Sequence, residues 1–182
     1  MLMYSMGVST DGFITDRRGE FAWTAPTDEQ FQHSLAEVGS LDAYLLGRPL
    51  YEAMRVWETD PSFRDTEAHA AFADVWTALP KVVFSRTMSG VEGNARLAAA
   101  PLADEIAALH DAGKTMSIGG ATLAAQAIQL DLVDEFRILR HPIVVGAGTP
   151  YFPAVDHDLQ LELLETRTFG SPVVYERYGR VR

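Results

Sequence analysis

The stretch TMSIGGATLAAQAIQLDLVDEFRILRHPIVV, from Thr115 to Val145, decides how the rest of the chain is read. It opens with a short apolar run, Thr115 to Ile118, and breaks at Gly119-Gly120. It then continues at helical spacing from Ala121 to Leu130 and returns to a strand-like run from Glu135 to Val145. Strand, glycine turn, helix and strand in that order make a crossover unit, because two parallel strands need a long connection between them. The alternation recurs on the N-terminal side. Strands are predicted over Leu2 to Ser9, Ala43 to Leu46 and Val82 to Ser85, with helices over Thr27 to Val38, Pro49 to Arg55, Glu67 to Leu79 and Pro101 to Asp111. Thr27 and Gln30 have the spacing of a capping box, and Pro101 suits a first helical turn, where its missing N–H costs nothing.

Toward the C-terminus the pattern changes. Leu159 to Thr168 and Val173 to Tyr178 are joined only by Phe169-Gly170-Ser171-Pro172, too short for a parallel crossover, so they are expected to form an antiparallel hairpin at or near a sheet edge. Trp57 to Arg64 is polar and broken by Pro61, and reads as a loop. The expected fold class is α/β: a central, mostly parallel sheet with an antiparallel C-terminal hairpin and helices on both faces.

Composition narrows what such a domain can do. The chain has 182 residues, with 47% hydrophobic and 22% charged, which fits one domain over residues 1–182 with an ordinary core. Fifteen Lys and Arg against 25 Asp and Glu leave a net charge of −10, a poor balance for a nucleic-acid partner. The absence of cysteine excludes disulfides, thiolate metal sites and a Cys nucleophile, and it fits the reducing cytoplasm. No run approaches the ~18 apolar residues of a membrane helix, and the first residues lack the pattern of a secretory signal. The five histidines show no ligand spacing and no Gly-x-Ser-x-Gly elbow is present. The histidines are therefore read as surface or core residues, and no metal is expected.

The chemistry concentrates after three predicted parallel strands. Arg48 follows Leu45-Leu46-Gly47, Ser85 and Arg86 follow Val82-Val83-Phe84, and Gly119-Gly120 opens a helix. Ligands of open α/β sheets bind at carboxyl ends of strands, where glycine admits close backbone approach and Arg offers a planar fork to phosphate. A phosphorylated small molecule is the implied ligand. Neither Gly-x-Gly-x-x-Gly nor Gly-x-x-x-x-Gly-Lys occurs, so an ordinary Rossmann or P-loop site is not supported. Asp28 reads either as a charge complementing the helix start beside Thr27 or as a carboxylate for an amino-nitrogen heterocycle, and Asp11-Gly12 reads as a turn or a ligand contact.

Taken in order, several motifs carry a resemblance. They are Ser9-Thr10-Asp11-Gly12, Leu46-Gly47-Arg48-Pro49-Leu50-Tyr51-Glu52, Lys81-Val82-Val83-Phe84-Ser85-Arg86, Ile118-Gly119-Gly120-Ala121-Thr122-Leu123, and Pro142 through Phe152. Across nearly the whole chain they resemble the dihydrofolate reductase superfamily, most closely the reductase domain of the bifunctional riboflavin-biosynthesis deaminase/reductase and its stand-alone bacterial relatives. The resemblance implies a three-layer dihydrofolate reductase-like fold and hydride transfer from NADPH, with a homodimer as the plausible assembly. It places Gly119, Gly120, Ala121, Thr122 and Leu123 near the pyrophosphate, Gly47 and Arg48 near the phosphates, and Ser85 and Arg86 at the adenosine 2′-phosphate. Trp23-x-x-Pro26-x-Asp28 is similar to the segment carrying the substrate carboxylate, which makes Asp28 a candidate for substrate binding and catalysis. Ser9 and Asp11 would stand on the loop beside the nicotinamide, Ser9 toward substrate and Asp11 as a second catalytic candidate.

The departures speak to substrate. Ala124 stands where dihydrofolate reductases usually have a Tyr, and Arg140 where they have a Thr supporting the folate carboxylate. Both argue against folate, and Arg140 is a candidate for an anionic substrate group. The implied substrate is a small polar heterocycle of the 5-amino-6-(5-phosphoribosylamino)uracil type. Reduction stands alone, because the Pro-Cys-x-x-Cys element of a zinc deaminase needs cysteine. A non-catalytic NADP(H)-binding module and a true dihydrofolate reductase are the alternatives; in Asp28→Asn a reductase keeps NADPH affinity and loses rate, whereas a binder keeps nucleotide affinity and has no turnover to lose, and methotrexate binding tests the second.

Overall fold

The computed structural model describes residues 1–182. Eight strands form one sheet: β1 (Leu2–Ser9), β2 (Ala43–Gly47), β3 (Lys81–Phe84), β4 (Ala95–Leu97), β5 (Met116–Gly119), β6 (Glu135–His141), β7 (Leu161–Thr168) and β8 (Val174–Arg180). Their spatial order is β4-β3-β2-β5-β1-β6-β8-β7. The first six run parallel, while β8 pairs antiparallel with both β6 and β7, so the C-terminal hairpin lies at one edge as expected.

The helices are α1 (Asp28–Gly39), α2 (Arg48–Met54), α3 (Val56–Thr59), α4 (Glu67–Ala78), α5 (Leu102–Asp111) and α6 (Ala121–Gln129). α1 starts with the predicted capping box: Thr27 accepts from the Gln30 amide, and the Gln30 side chain accepts from the Thr27 amide at 2.8 Å. Thr66 caps α4 in the same way, accepting from the His69 amide at 3.1 Å.

Two cores divide the helices between the sheet faces. Leu102 and Ile106 of α5 and Leu123, Ala124, Ala127 and Ile128 of α6 pack with Tyr4, Val8, Phe136 and Ile138. On the other face Phe72 and Trp76 of α4 pack with Leu46 and Val83, joined by Phe31 and Leu35 of α1. The chain leaves β1 and β2 on the α1 and α4 face and leaves β5 on the α6 face, so the carboxyl ends of β2, β5 and β1 sit at the point where the winding reverses.

Four expectations are corrected. Trp57 to Arg64 is not a plain loop but α3 followed by a 3-10 turn over Pro61–Arg64, whose Asp60 cap accepts from the Ser62 amide at 2.9 Å. Its polar composition hides two anchors: Trp57 meets Phe72 with centroids 4.6 Å apart, and Phe63 meets Trp57 at 5.1 Å. The strand predicted to Val145 stops at His141, because Pro142 has no N–H for the ladder and the Val145 and Gly146 amides turn to Asp11 instead. β7 begins at Leu161 rather than Leu159. The short edge strand β4 was not anticipated, since three residues carry no readable period.

Candidate active site

At the carboxyl end of β1, Ser9 is fully buried and spent on local geometry. Its hydroxyl donates to Asp11 Oδ1 at 2.7 Å and accepts from the Phe13 amide at 2.9 Å. The Asp11 carboxylate also accepts from the Val145 amide at 3.2 Å and the Gly146 amide at 2.7 Å, tying the loop after β1 to the loop after β6. The Ser9 hydroxyl, aided by the Gly146 and Val145 amides, holds the Asp11 carboxyl below the usual carboxylate range.

Next door are the ends of β2 and β5. Gly47 is the N-cap of α2 and Gly120 that of α6, and neither has a side chain to spend on its helix start. Gly120 has φ +92°, a conformation that favours glycine, and a Cβ added there would lie 4.0 Å from the Gly47 nitrogen. Leu123 and Ala124 donate to the Gly120 carbonyl, while the Ala121 and Thr122 amides have no acceptor within the chain, which leaves the positive end of α6 open at this crevice. Gly119 is required for a different reason: a side chain there would run into Leu50 and stand 2.7 Å from Tyr44 Cε1.

Arg48 reaches from α2 to Glu52 Oε1 (2.7 Å) and to Thr87 Oγ1 (3.1 Å), bracing the turn after β3. Within that turn the Ser85 hydroxyl accepts from the Thr87 and Met88 amides, both at 3.2 Å. Arg86 is exposed and makes neither an ion pair nor a hydrogen bond. Asp28 is exposed at the first position of α1, and no side chain pairs with its carboxylate.

Strand alternation sorts the remaining candidates. β1 and β6 pair in register Gly7 with Leu139 and Ser9 with His141, so these four share one face. Arg137, two residues before Leu139, meets Glu37 of α1 at 3.0 Å, which identifies that face as the α1 side, where Asp28 also lies. Arg140 therefore points to the opposite face, and its guanidinium is held by Glu176 of β8 at 2.8 and 3.1 Å. Arg140, a candidate for an anionic substrate group, is thus committed to Glu176 on the face away from Asp28, while the period of two turns His141 to the α1 side. Isolated histidines are usually satisfied, so in the sequence nothing marks His141; only its register with Gly7 and Ser9 signals its position. Beside it, a cavity of about 290 Å³ is lined by Asp16, Arg17, Arg18, Trp23, Ile143 and Val145.

An open α/β sheet with a reversal crevice between β2 and β5 and an antiparallel edge hairpin is the dihydrofolate reductase-like architecture. Within it, the chain belongs to the RibD C-terminal domain family, whose model matches residues 1–175. YyaP of Bacillus subtilis (strain 168) is 32% identical over 177 residues, 95% of this chain and 91% of YyaP. Among solved structures, a Shewanella sp. PV-4 protein named for riboflavin biosynthesis aligns at TM-score 0.79 and 24% identity, covering 100% of this chain and 99% of that one. The Thermotoga maritima diaminohydroxyphosphoribosylaminopyrimidine deaminase/5-amino-6-(5-phosphoribosylamino)uracil reductase aligns at 0.66 and 14% identity, covering 100% of this chain and 56% of that one. Dihydrofolate reductase of Enterococcus faecalis, complexed with NADP(H), aligns at 0.62 and 19% identity, covering 99% and 96%. No helix of the chain is long and apolar enough to cross a membrane.

Proposed function

We propose that this chain is an NADPH-dependent oxidoreductase that reduces a C=N or C=O bond in a small polar heterocycle of ribosylaminopyrimidine type. The observation that carries the reading is the Gly47–Gly120 crevice: two backbone segments without side chains, 4.0 Å apart at the Cβ position of Gly120, opening at a helix start. A pyrophosphate fits such a surface because it needs close backbone approach and unpaired amides. Arg86, uncommitted at the end of β3, supplies a cation for a 2′-phosphate, while Arg48 shapes the adjoining turn.

Bound in this crevice, NADPH would supply hydride, and the chain's own task is to hold the acceptor against it and manage one proton. Asp28 is free to anchor an amino-nitrogen edge of the substrate, since nothing in the chain occupies its carboxylate. Ser9 and Asp11 act through the loop they hold rather than as proton carriers, because their side-chain oxygens are engaged in it. The names of the Thermotoga and Enterococcus proteins agree with this reading as to pyrimidine reduction and NADP(H).

The test is a titration with NADPH and, separately, NADH, followed by nicotinamide fluorescence. Micromolar binding with a clear preference for NADPH is expected. Binding of neither cofactor, or oxidation of neither with any pyrimidine, pterin or ribosylamine substrate, removes the reading.

A further inference from the structure

His141 is only 6% exposed, yet neither ring nitrogen hydrogen-bonds to the protein. Its backbone carbonyl is engaged by Thr10 Oγ1 at 3.0 Å and the Ile143 amide at 2.8 Å. Buried polar side chains are nearly always paired, and an imidazole that merely fills space ordinarily spends at least one nitrogen. Trp23 stands edge-on to the ring with centroids 5.6 Å apart; its indole N–H is fully buried without a partner, whereas the unpaired His141 nitrogens reach the surface. Gly7 of β1 closes the corner: a Cβ there would lie 2.9 Å from Thr24 Cγ2 and 3.3 Å from His141 Nε2.

Two heterocycles with unspent nitrogen functions thus meet beside a strand residue that has no side chain. They do so at the carboxyl ends of β1 and β6, on the α1 side of the sheet. Burial is the one influence on the imidazole, with no charged side chain coupled to it. A neutral imidazole suits a neutral polar edge.

We propose that His141 is the residue that recognises the substrate heterocycle, a ring nitrogen of its imidazole hydrogen-bonding a carbonyl oxygen or ring nitrogen of a uracil-like ring, with Trp23 packed edge-on behind it. This rests on the reductase reading and adds to it the residue that selects the substrate. A neutral imidazole offers one donor and one acceptor, which matches a carbonyl beside an N–H on a uracil edge. Arg140, on the far face, takes no part.

The experiment uses protein labelled with ¹⁵N at histidine, the His141 ring signals being assigned by their loss in His141→Asn. Wild type is titrated with 5,6-diaminouracil, alone and with NADP⁺. The His141 signals are expected to move with the probe while those of exposed His110 and His157 stay. His141→Asn is expected to bind the probe about tenfold more weakly, the loss of roughly one hydrogen bond, with NADPH affinity unchanged. Unmoved His141 signals at millimolar probe, or an Asn variant that binds the probe as tightly as wild type, overturn the proposal. NADPH affinity is read separately: its absence in wild type removes the reductase reading, whereas NADPH binding with an indifferent His141 removes only this inference.

Discussion

Gly120 and Gly47 face each other across the carboxyl ends of β5 and β2 so closely that a Cβ on the first would stand 4.0 Å from the backbone nitrogen of the second. Gly120→Ala adds a methyl at φ +92°, costing about 1–2 kcal/mol in backbone conformation and narrowing the crevice. NADPH affinity is expected to fall at least about tenfold. Gly119→Ala, which drives a methyl into Leu50 and Tyr44, should instead lower the melting temperature first. Fluorescence titration beside thermal melts separates the two, and equal NADPH affinity in Gly120→Ala and wild type would place the cofactor elsewhere.

Arg86 is the uncommitted cation beside the crevice, whereas Arg48 is braced by Glu52 and Thr87. Removing a charge-assisted contact to phosphate costs about 1.5–3 kcal/mol. Arg86→Ala is therefore expected to weaken NADPH binding roughly 10- to 100-fold while leaving NADH binding nearly unchanged, with the loss shrinking at high salt. Equal losses for both cofactors would remove Arg86 from the 2′-phosphate.

Asp11 joins the loops after β1 and β6 through Ser9, Val145 and Gly146. If that link is its role, Asp11→Ala lowers the melting temperature and raises KM more than it lowers kcat. A collapse of kcat with an unchanged melt would restore Asp11 as a catalytic group.

Lys81, 2% exposed at the start of β3, donates to the carbonyls of Trp76 (2.5 Å) and Leu79 (3.0 Å) and pairs with Glu58 of α3 at 2.9 Å. Removing one partner of a buried pair leaves the other uncompensated, at a cost of about 3–5 kcal/mol. Glu58→Leu should therefore destabilise in urea melts far more than the double change with Lys81→Met. Additive losses in the two single variants would show the pair to be uncoupled.

Burial lowers the pKa of both His33 and His141; around His33, Glu37 and Glu165 oppose that effect while Arg167 and Arg137 reinforce it. With the folded pKa below the unfolded value near 6.5, the unfolded chain binds more protons just below that pH. The two groups stabilise the fold fully above that value, and their contribution declines as pH drops through and below it. Melts between about pH 7.5 and 5.5 should show this slope, and His33→Gln with His141→Asn should flatten it; an unaltered slope assigns it to other groups.

Most elements were legible because their signals are local. The Thr27–Gln30 capping box forms as spaced, the glycine pair opens α6, and the short link from Phe169 to Pro172 forces a hairpin. The failures share one cause, that neighbours in space overrule neighbours in sequence. α3 and the turn after it exist because Trp57 finds Phe72 and Phe31 and Phe63 packs on Trp57, and β6 ends early because Asp11 takes the amides beyond it.

The site divides along the same line. Backbone demands are written in residue type, so the glycines at 47, 119 and 120 and the arginines at 48 and 86 could be read where they stand. Which side of the sheet a residue on β6 faces depends on its register against β1, and a shift of one residue exchanges the faces. By itself the sequence determined the α/β alternation, the turns and the glycine- and arginine-bearing strand ends, because those follow from spacing and side-chain chemistry. Only the tertiary structure decided that Arg140 turns to Glu176 while His141 meets Trp23 and Gly7, because strand pairing alone fixes which face each side chain takes.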